Sequence, residues 1–200
     1  MAFAWASLLL AVVFGVALGN LIRGVPLNPE GYFFVALWTN FMTGPEPGIL
    51  DWFTILIGAT SAAILAMHGA NYLAMKTEGE LRERARRVAW LTGSTVIVLV
   101  GLVLTAIPFV QPLFYLNYAA HPMGYVFPVL TLATLLVALE IRMGDWDAGA
   151  LSATSLLILT MLASTASGSY PNILIATNDP ANSLTVTNAT AGVYGMQIGL

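Results

Sequence analysis

The chain has 200 residues, of which 58% are hydrophobic and only 8% charged, with a mean hydropathy of +0.82. A soluble domain has about a quarter of its residues charged, so an ordinary water-soluble globule is excluded and an integral membrane protein is implied. A net charge of −3 leaves no broad basic face for nucleic acid, and the absence of cysteine excludes disulfides, iron–sulfur clusters and thiolate metal sites.

A membrane helix needs roughly 20 apolar residues to cross about 30 Å of hydrocarbon, and the uncharged runs supply five. The first, 1–19, ends near Gly19-Asn20, and Ala11, Gly15 and Gly19 recur at the four-residue spacing that lets helix backbones approach closely. A signal peptide fits it poorly, because no basic n-region precedes it. The second, 50–75, has a similar repeat in Ala62, Ala66 and Ala70. It also carries a polar stripe, Ser61, His68, Asn71 and Tyr72, in which Ser61, His68 and Tyr72 fall near one face. Such a stripe inside a bilayer must find partners, either as a proton or quinone contact or as interhelical hydrogen bonds. The run 88–139 is too long for one helix and is interrupted by Pro108, Pro112, Asn117 and His121-Pro122, so it reads as two, 89–110 and 122–142. The fifth, 149–167, ends where Ser167, Gly168, Ser169 and Pro171 accumulate and leaves a tail at 168–200. The expected fold is all-α, a polytopic transmembrane helix bundle with about five spans forming part of one membrane domain. Met1 enters a helix at once and Val193 to Leu200 reads as the start of another apolar segment, so further helices are expected before and after these residues.

Five of the seven basic residues, Lys76, Arg82, Arg84, Arg86 and Arg87, share one loop, 76–90. Basic residues in short loops favour the cytoplasmic side. The expected topology puts that loop, 143–148 with the nearby Arg142, and the amino end inside, with Arg23 alone on the other face. Trp5, Trp52, Trp90 and Trp146 fall near helix ends, where indole rings favour the interface. Thr77-Glu78-Gly79-Glu80 has the T-x-x-E form of a capping box, so a helix should begin there. Glu78 with Arg82, Glu80 with Arg84 and Glu83 with Arg87 have the spacing of helix ion pairs. The loop is either a solvated helical segment that sets topology or a docking or anionic-lipid surface. Asp145 and Asp147 read as solvated turn residues, and Glu140 and Arg142 as side chains that snorkel to the interface.

Cofactor and catalytic signals are sparse. The histidines are His68 and His121, and His68 should lie about 25 Å inward from the outer end of its helix at 1.5 Å per residue, whereas His121 sits at an outer mouth. The two cannot hold the same iron. A His–Met pair stays open with 8 methionines, although methionine is also common core filler. No dinucleotide-binding glycine pattern, Walker loop or His-Glu-x-x-His is found, so no catalytic residue and no metal site is assigned. Asn188-Ala189-Thr190 matches a glycosylation sequon, a short pattern frequent by chance.

Longer stretches carry more information. The segment from Gly15 to Leu27, with Asn20, Arg23 and Pro26, resembles the chain leaving a middle helix of subunit II of cytochrome bd-type quinol oxidases. His68-Gly69-Ala70-Asn71-Tyr72, continuing through Lys76-Thr77-Glu78-Gly79-Glu80-Leu81, is similar to that family's helix end and cytoplasmic turn, and Leu50-Asp51-Trp52-Phe53 to the lead-in of the same helix. Tyr170-Pro171-Asn172, Asp179-Pro180, Ser183-Leu184-Thr185 and Asn188-Ala189 resemble the segment before the family's last helix. The resemblance implies the non-haem subunit of a complex that oxidises quinol, reduces oxygen to water and generates a proton gradient in a bacterial or archaeal cytoplasmic membrane. It also implies subunit I as partner, with the haems and the quinol-oxidation site there, membrane lipid around both, and no cofactor held by this chain alone, a quinone contact staying open. Asn20, Arg23, Lys76, Thr77, Glu78 and Glu80 become candidate structural or docking residues. The rival reading is a secondary transporter, which would act without subunit I.

Overall fold

The computed structural model describes residues 2–141 and 144–189. Among these, six α-helices run in the order α1 Ala2–Arg23, α2 Trp52–Lys76, α3 Gly79–Val110, α4 Leu113–Ala120, α5 Val126–Ile141 and α6 Asp147–Ser169, with a 3-10 turn at Pro122–Tyr125 leading into α5. Five stretches are long and apolar enough to cross a membrane: α1, α2, α3, Pro122–Ile141 and α6. The all-α, five-span expectation therefore matches the structure. Arg142 and residues 190–200, including Thr190 of the sequon and the apolar stretch from Val193, lie outside the described residues.

Glycine lets α1 and α2 come into backbone contact. A Cβ at Gly15 would lie 2.5 Å from Ser61 Cβ and 2.7 Å from Gly58 Cα, and one at Gly19 would lie 2.9 Å from Thr54 Cα. The repeat read on α1 is thus the face that meets α2. Its counterpart on α2 is different from the expected one: Ala70 is buried but Ala66 is exposed, and the inward row is Ile64, Met67, Ala70 and Ala74. Small residues are needed only where backbones touch, and further along α2 the neighbours are α3 and α6, reached through larger side chains. Ile64 and Met67 pack there with Val96, Val100, Leu135 and Leu157. A second core at the opposite end joins Ile22, Phe53 and Ile57 to Phe114, Tyr118 and Ile175.

Several boundaries depart from expectation for identifiable reasons. The third span begins at Gly79 rather than 89, because the charged segment is helical and runs without a break into the apolar one. Pro108 lies inside α3 near its end, and the helix continues past it to Val110, with Gln111 N donating to Ile107 O at 2.8 Å. The expected turn at 111–121 is largely helix α4, and Pro128 sits in the first turn of α5, where a missing N–H costs nothing. The tail forms a small antiparallel pair, β1 Asn172–Leu174 with β2 Leu184–Thr185. The tail also grips the end of α1: Val25 N donates to Ile175 O at 2.9 Å and Thr177 N to Val25 O at 3.1 Å. Gly24 permits this approach, since its φ is +95° and a Cβ there would meet Ile175 O at 2.6 Å.

The expected capping box at Thr77–Glu80 does not form. Thr77 instead closes α2, its hydroxyl donating to Leu73 O at 2.7 Å, while Glu78 stands at the N-cap of α3 without a side-chain bond and Gly79 takes φ +59°. With only two residues between the helices, Thr77 finds the end of α2 nearer than the start of α3. A capping box does exist at the other end of α2, where Asp51 Oδ1 accepts from Thr54 N at 2.8 Å and Thr54 Oγ1 accepts from Asp51 N at 2.9 Å.

Candidate functional site: polar clasps at both ends of the bundle

Arg23 ends α1, and its side chain is buried against the start of α2. It donates to Asp51, to Gly48 O at 3.1 Å, to Gly24 O at 3.1 Å and to Asn20 Oδ1 at 2.6 Å. Arg23 and Asp51 are 2% and 0% exposed, so this is a desolvated ion pair, held where the other donors and acceptors of each group are also met. Asn20 extends the cluster by donating to Val16 O at 2.9 Å and Ile49 O at 3.0 Å. Gln111, just beyond α3, donates to Arg23 O at 2.8 Å. One cluster thus joins α1, the entry to α2 and the exit from α3. Nearby, Tyr118 of α4 donates to Ser164 O of α6 at 2.6 Å, and burial raises its phenol pKa against the opposing hydrogen bond to Ser164.

A second clasp lies at the basic end. Arg82 Nε and Arg86 Nε of α3 donate to the two oxygens of Asp147 at 2.6 and 2.7 Å, and Arg86 continues to Asp145 at 2.7 Å and Gly144 O at 3.1 Å. Two guanidinium groups thereby hold one carboxylate at the first residue of α6. This corrects the reading of Asp145 and Asp147 as solvated turn residues, since Asp147 is 13% exposed. It also redirects the helix pairs: Arg82 reaches Asp147 across the bundle, and of the three expected pairs Glu80–Arg84, at 2.5 Å, is the one seen among the described residues. The acids that neutralise Arg82 and Arg86 lie about 60 positions away in sequence, out of reach of any local pattern. Lys76, Glu78 and Glu80 are exposed and Thr77 is partly so.

The polar stripe on α2 is divided among neighbours. Ser61 faces α1 at Gly15. His68 Nδ1 lies 2.9 Å from Thr154 Oγ1 of α6, Asn71 is buried, and Tyr72 is half exposed. The residues therefore do not converge on one ligand position. Asn71 lines a cavity of about 230 Å³ with Arg86, Trp90, Asp147 and Ala150, immediately inside the basic clasp. His121 is exposed, packed edge-on against Tyr170 with ring centroids 5.5 Å apart, at the opposite end from the basic clasp. Among the described residues no three His, Asp or Glu side chains come together as a metal site would require.

Sequence reasoning gave no site role to Asp51 or Gln111 and took Asp145 and Asp147 for solvated turn residues. The first had a local signal: an aspartate immediately before an apolar helix, with threonine three residues on, is a cap pattern.

Five helices long and apolar enough to cross a membrane, joined to one another through polar side chains, define a multi-pass helical membrane protein. The sequence model of cytochrome bd terminal oxidase subunit II matches residues 1–200, and the chain belongs to that family. Among relatives, it is 40% identical over 97 residues to the probable cytochrome oxidase subunit 2 of Haemophilus influenzae, covering 48% of this chain and 24% of that protein. It is 36% identical over 91 residues to the cytochrome bd-I ubiquinol oxidase subunit 2 of Escherichia coli K12, covering 46% and 23%. A longer match, 24% identical over 196 residues, joins it to the cytochrome bd ubiquinol oxidase subunit 2 of Bacillus subtilis, covering 97% of this chain and 54% of the relative. The matched regions thus span about a quarter of the first two relatives and about half of the third.

Proposed function

We propose that the chain serves as part of the non-haem subunit of a quinol:oxygen oxidoreductase complex, beside a subunit I that holds the haems and oxidises quinol. Oxygen is reduced to water there, and the reaction charges a proton gradient. The family match over residues 1–200 is the observation that carries this reading. The two clasps are in keeping with it, since they tie α1, α2 and α3 together at one end of the bundle and α3 to α6 at the other, as a scaffold subunit needs. The basic end, from Lys76 to Arg87 and at 144–147, faces the cytoplasm in this reading, by the excess of basic residues there, and membrane lipid covers what subunit I leaves open.

The test is an affinity purification of the complete gene product containing these residues, coexpressed with the neighbouring candidate large subunit, with a reduced-minus-oxidised visible spectrum of the eluate. A haem-bearing partner and quinol-dependent oxygen uptake are expected. A colourless chain that elutes alone and moves a solute across vesicles would overturn the proposal in favour of a transporter.

A further inference from the structure

We propose that the segment 32–42, between α1 and α2, is an interfacial anchor whose side chains lie in the headgroup layer of zwitterionic lipid at the end of the bundle opposite the basic clasp. Its depth is set by backbone hydrogen bonds to the residues that lead into α2. Ile49 N donates to Ala36 O and Leu50 N to Leu37 O, both at 3.0 Å, and Trp52 N donates to Phe41 O at 3.2 Å. Asp51 is the N-cap of α2 and Trp52 its first residue, so residues 36–41 are held about one strand spacing, roughly 5 Å, from the point where the span begins.

At that level the segment presents apolar surface with no protein against it. Tyr32, Phe33, Phe34, Leu37, Trp38 and Met42 are all exposed, Phe34 completely. Aromatic side chains at this depth match the boundary between headgroups and acyl chains, where a ring can be buried while its polar edge or the adjacent backbone stays wet. Charge selects the kind of surface. Between Arg23 and Lys76 there is no lysine or arginine, residues 32–42 carry no charge, and the flanking acids are Glu30 and Glu46. Anionic headgroups would be repelled, whereas zwitterionic ones are tolerated. A protein interface would surround its apolar centre with a polar, partly charged rim, and within 32–42 the exposed polar groups beside the aromatic rings are the uncharged Thr39 and Asn40. The inference requires only the multi-pass arrangement, and it stands apart from the oxidase reading.

The experiment uses the complete gene product with its copurifying partner, in nanodiscs of phosphatidylcholine. These 200 residues contain no cysteine, so after removal of any cysteine elsewhere a single Phe34→Cys site can carry an environment-sensitive fluorophore, with Ala181→Cys on the exposed tail as the aqueous control. Blue-shifted emission at position 34, lost when the lipids carry a nitroxide at headgroup depth and retained in iodide, is the expected result, with the reverse order at position 181. Iodide quenching at position 34 equal to that at 181 overturns the proposal by placing the segment in water. Protection from both quenchers overturns it by assigning the face to a protein partner. Met42→Cys gives the same reading should Phe34→Cys fail to assemble.

Discussion

Replacing Asp51 by asparagine isolates the charge of the Arg23 clasp. Asparagine keeps an oxygen to accept from Thr54 N, now at 2.8 Å, so the cap of α2 survives. What is lost is the countercharge to a guanidinium that is 2% exposed. Gly48 O, Gly24 O and Asn20 Oδ1 still accept from Arg23, but none carries a charge. Breaking a buried pair from one side costs about 3–5 kcal/mol, equivalent to a change of roughly two to three and a half powers of ten in the unfolding equilibrium. Asp51→Ala should cost about 1 kcal/mol more, from the lost cap. Arg23→Met strands the carboxylate and should cost about as much as Asp51→Asn. The double variant Arg23→Met with Asp51→Asn has no stranded charge and should return to within about 1–2 kcal/mol of the parent. The assay is reversible unfolding of the purified protein in mixed micelles of rising SDS fraction, followed by tryptophan fluorescence. Single variants that cost no more than an exposed ion pair, about 1 kcal/mol or less, or a double variant equal to the sum of the singles, would refute the reasoning.

The basic clasp should be weaker and more sensitive to salt. Asp147→Asn removes the charge, and one of the two oxygens that accept from Arg82 and Arg86, at a partly open site, so a loss of about 1–2 kcal/mol is expected, with the difference from the parent shrinking as ionic strength rises in the same micelle titration. At the α1–α2 crossing, Gly15→Ala should destabilise by about 1–3 kcal/mol, because the new methyl meets the backbone of Gly58. Gly101→Ala is its control, since open space surrounds that position in the middle of α3; it should be neutral or stabilise by up to about 1 kcal/mol through helix propensity. Thr154→Val removes the hydroxyl beside His68 at nearly constant shape and should cost about 0.6 kcal/mol, the usual size of a hydrogen bond between membrane helices. A loss several times larger would show that His68 depends on Thr154 for more than packing.

The number of spans was legible because hydrocarbon thickness fixes a length, and length is countable between charges. The α1 glycine face was legible for a similar reason: backbone contact excludes side chains, so the spacing of Gly15 and Gly19 shows in the sequence. What stayed hidden is pairing at a distance. Nothing near Arg82 or Arg86 points to Asp147, and nothing near Arg23 names Asp51, although the cap pattern was present at Asp51 and Thr54. The T-x-x-E pattern at Thr77 misled because it describes a helix start and takes no account of the helix that ends at Lys76, the residue just before it. The polar stripe on α2 was read from one helix alone, and the neighbours that divide it lie on α1 and α6.

The clasp between α3 and α6 has a consequence for biosynthesis. Arg82 and Arg86 precede Asp147 by 65 and 61 residues. At about 5–20 residues per second, the ribosome leaves these arginines without their acid for several seconds. During that interval Arg82 and Arg86 face the insertion machinery without the acids that later pair with them, when the orientation of α2 and α3 is being decided. Neutralisation comes only with α6, after that decision. The same residues can therefore direct topology early and fasten the bundle late, because the charge that would cancel the first role has not yet been made.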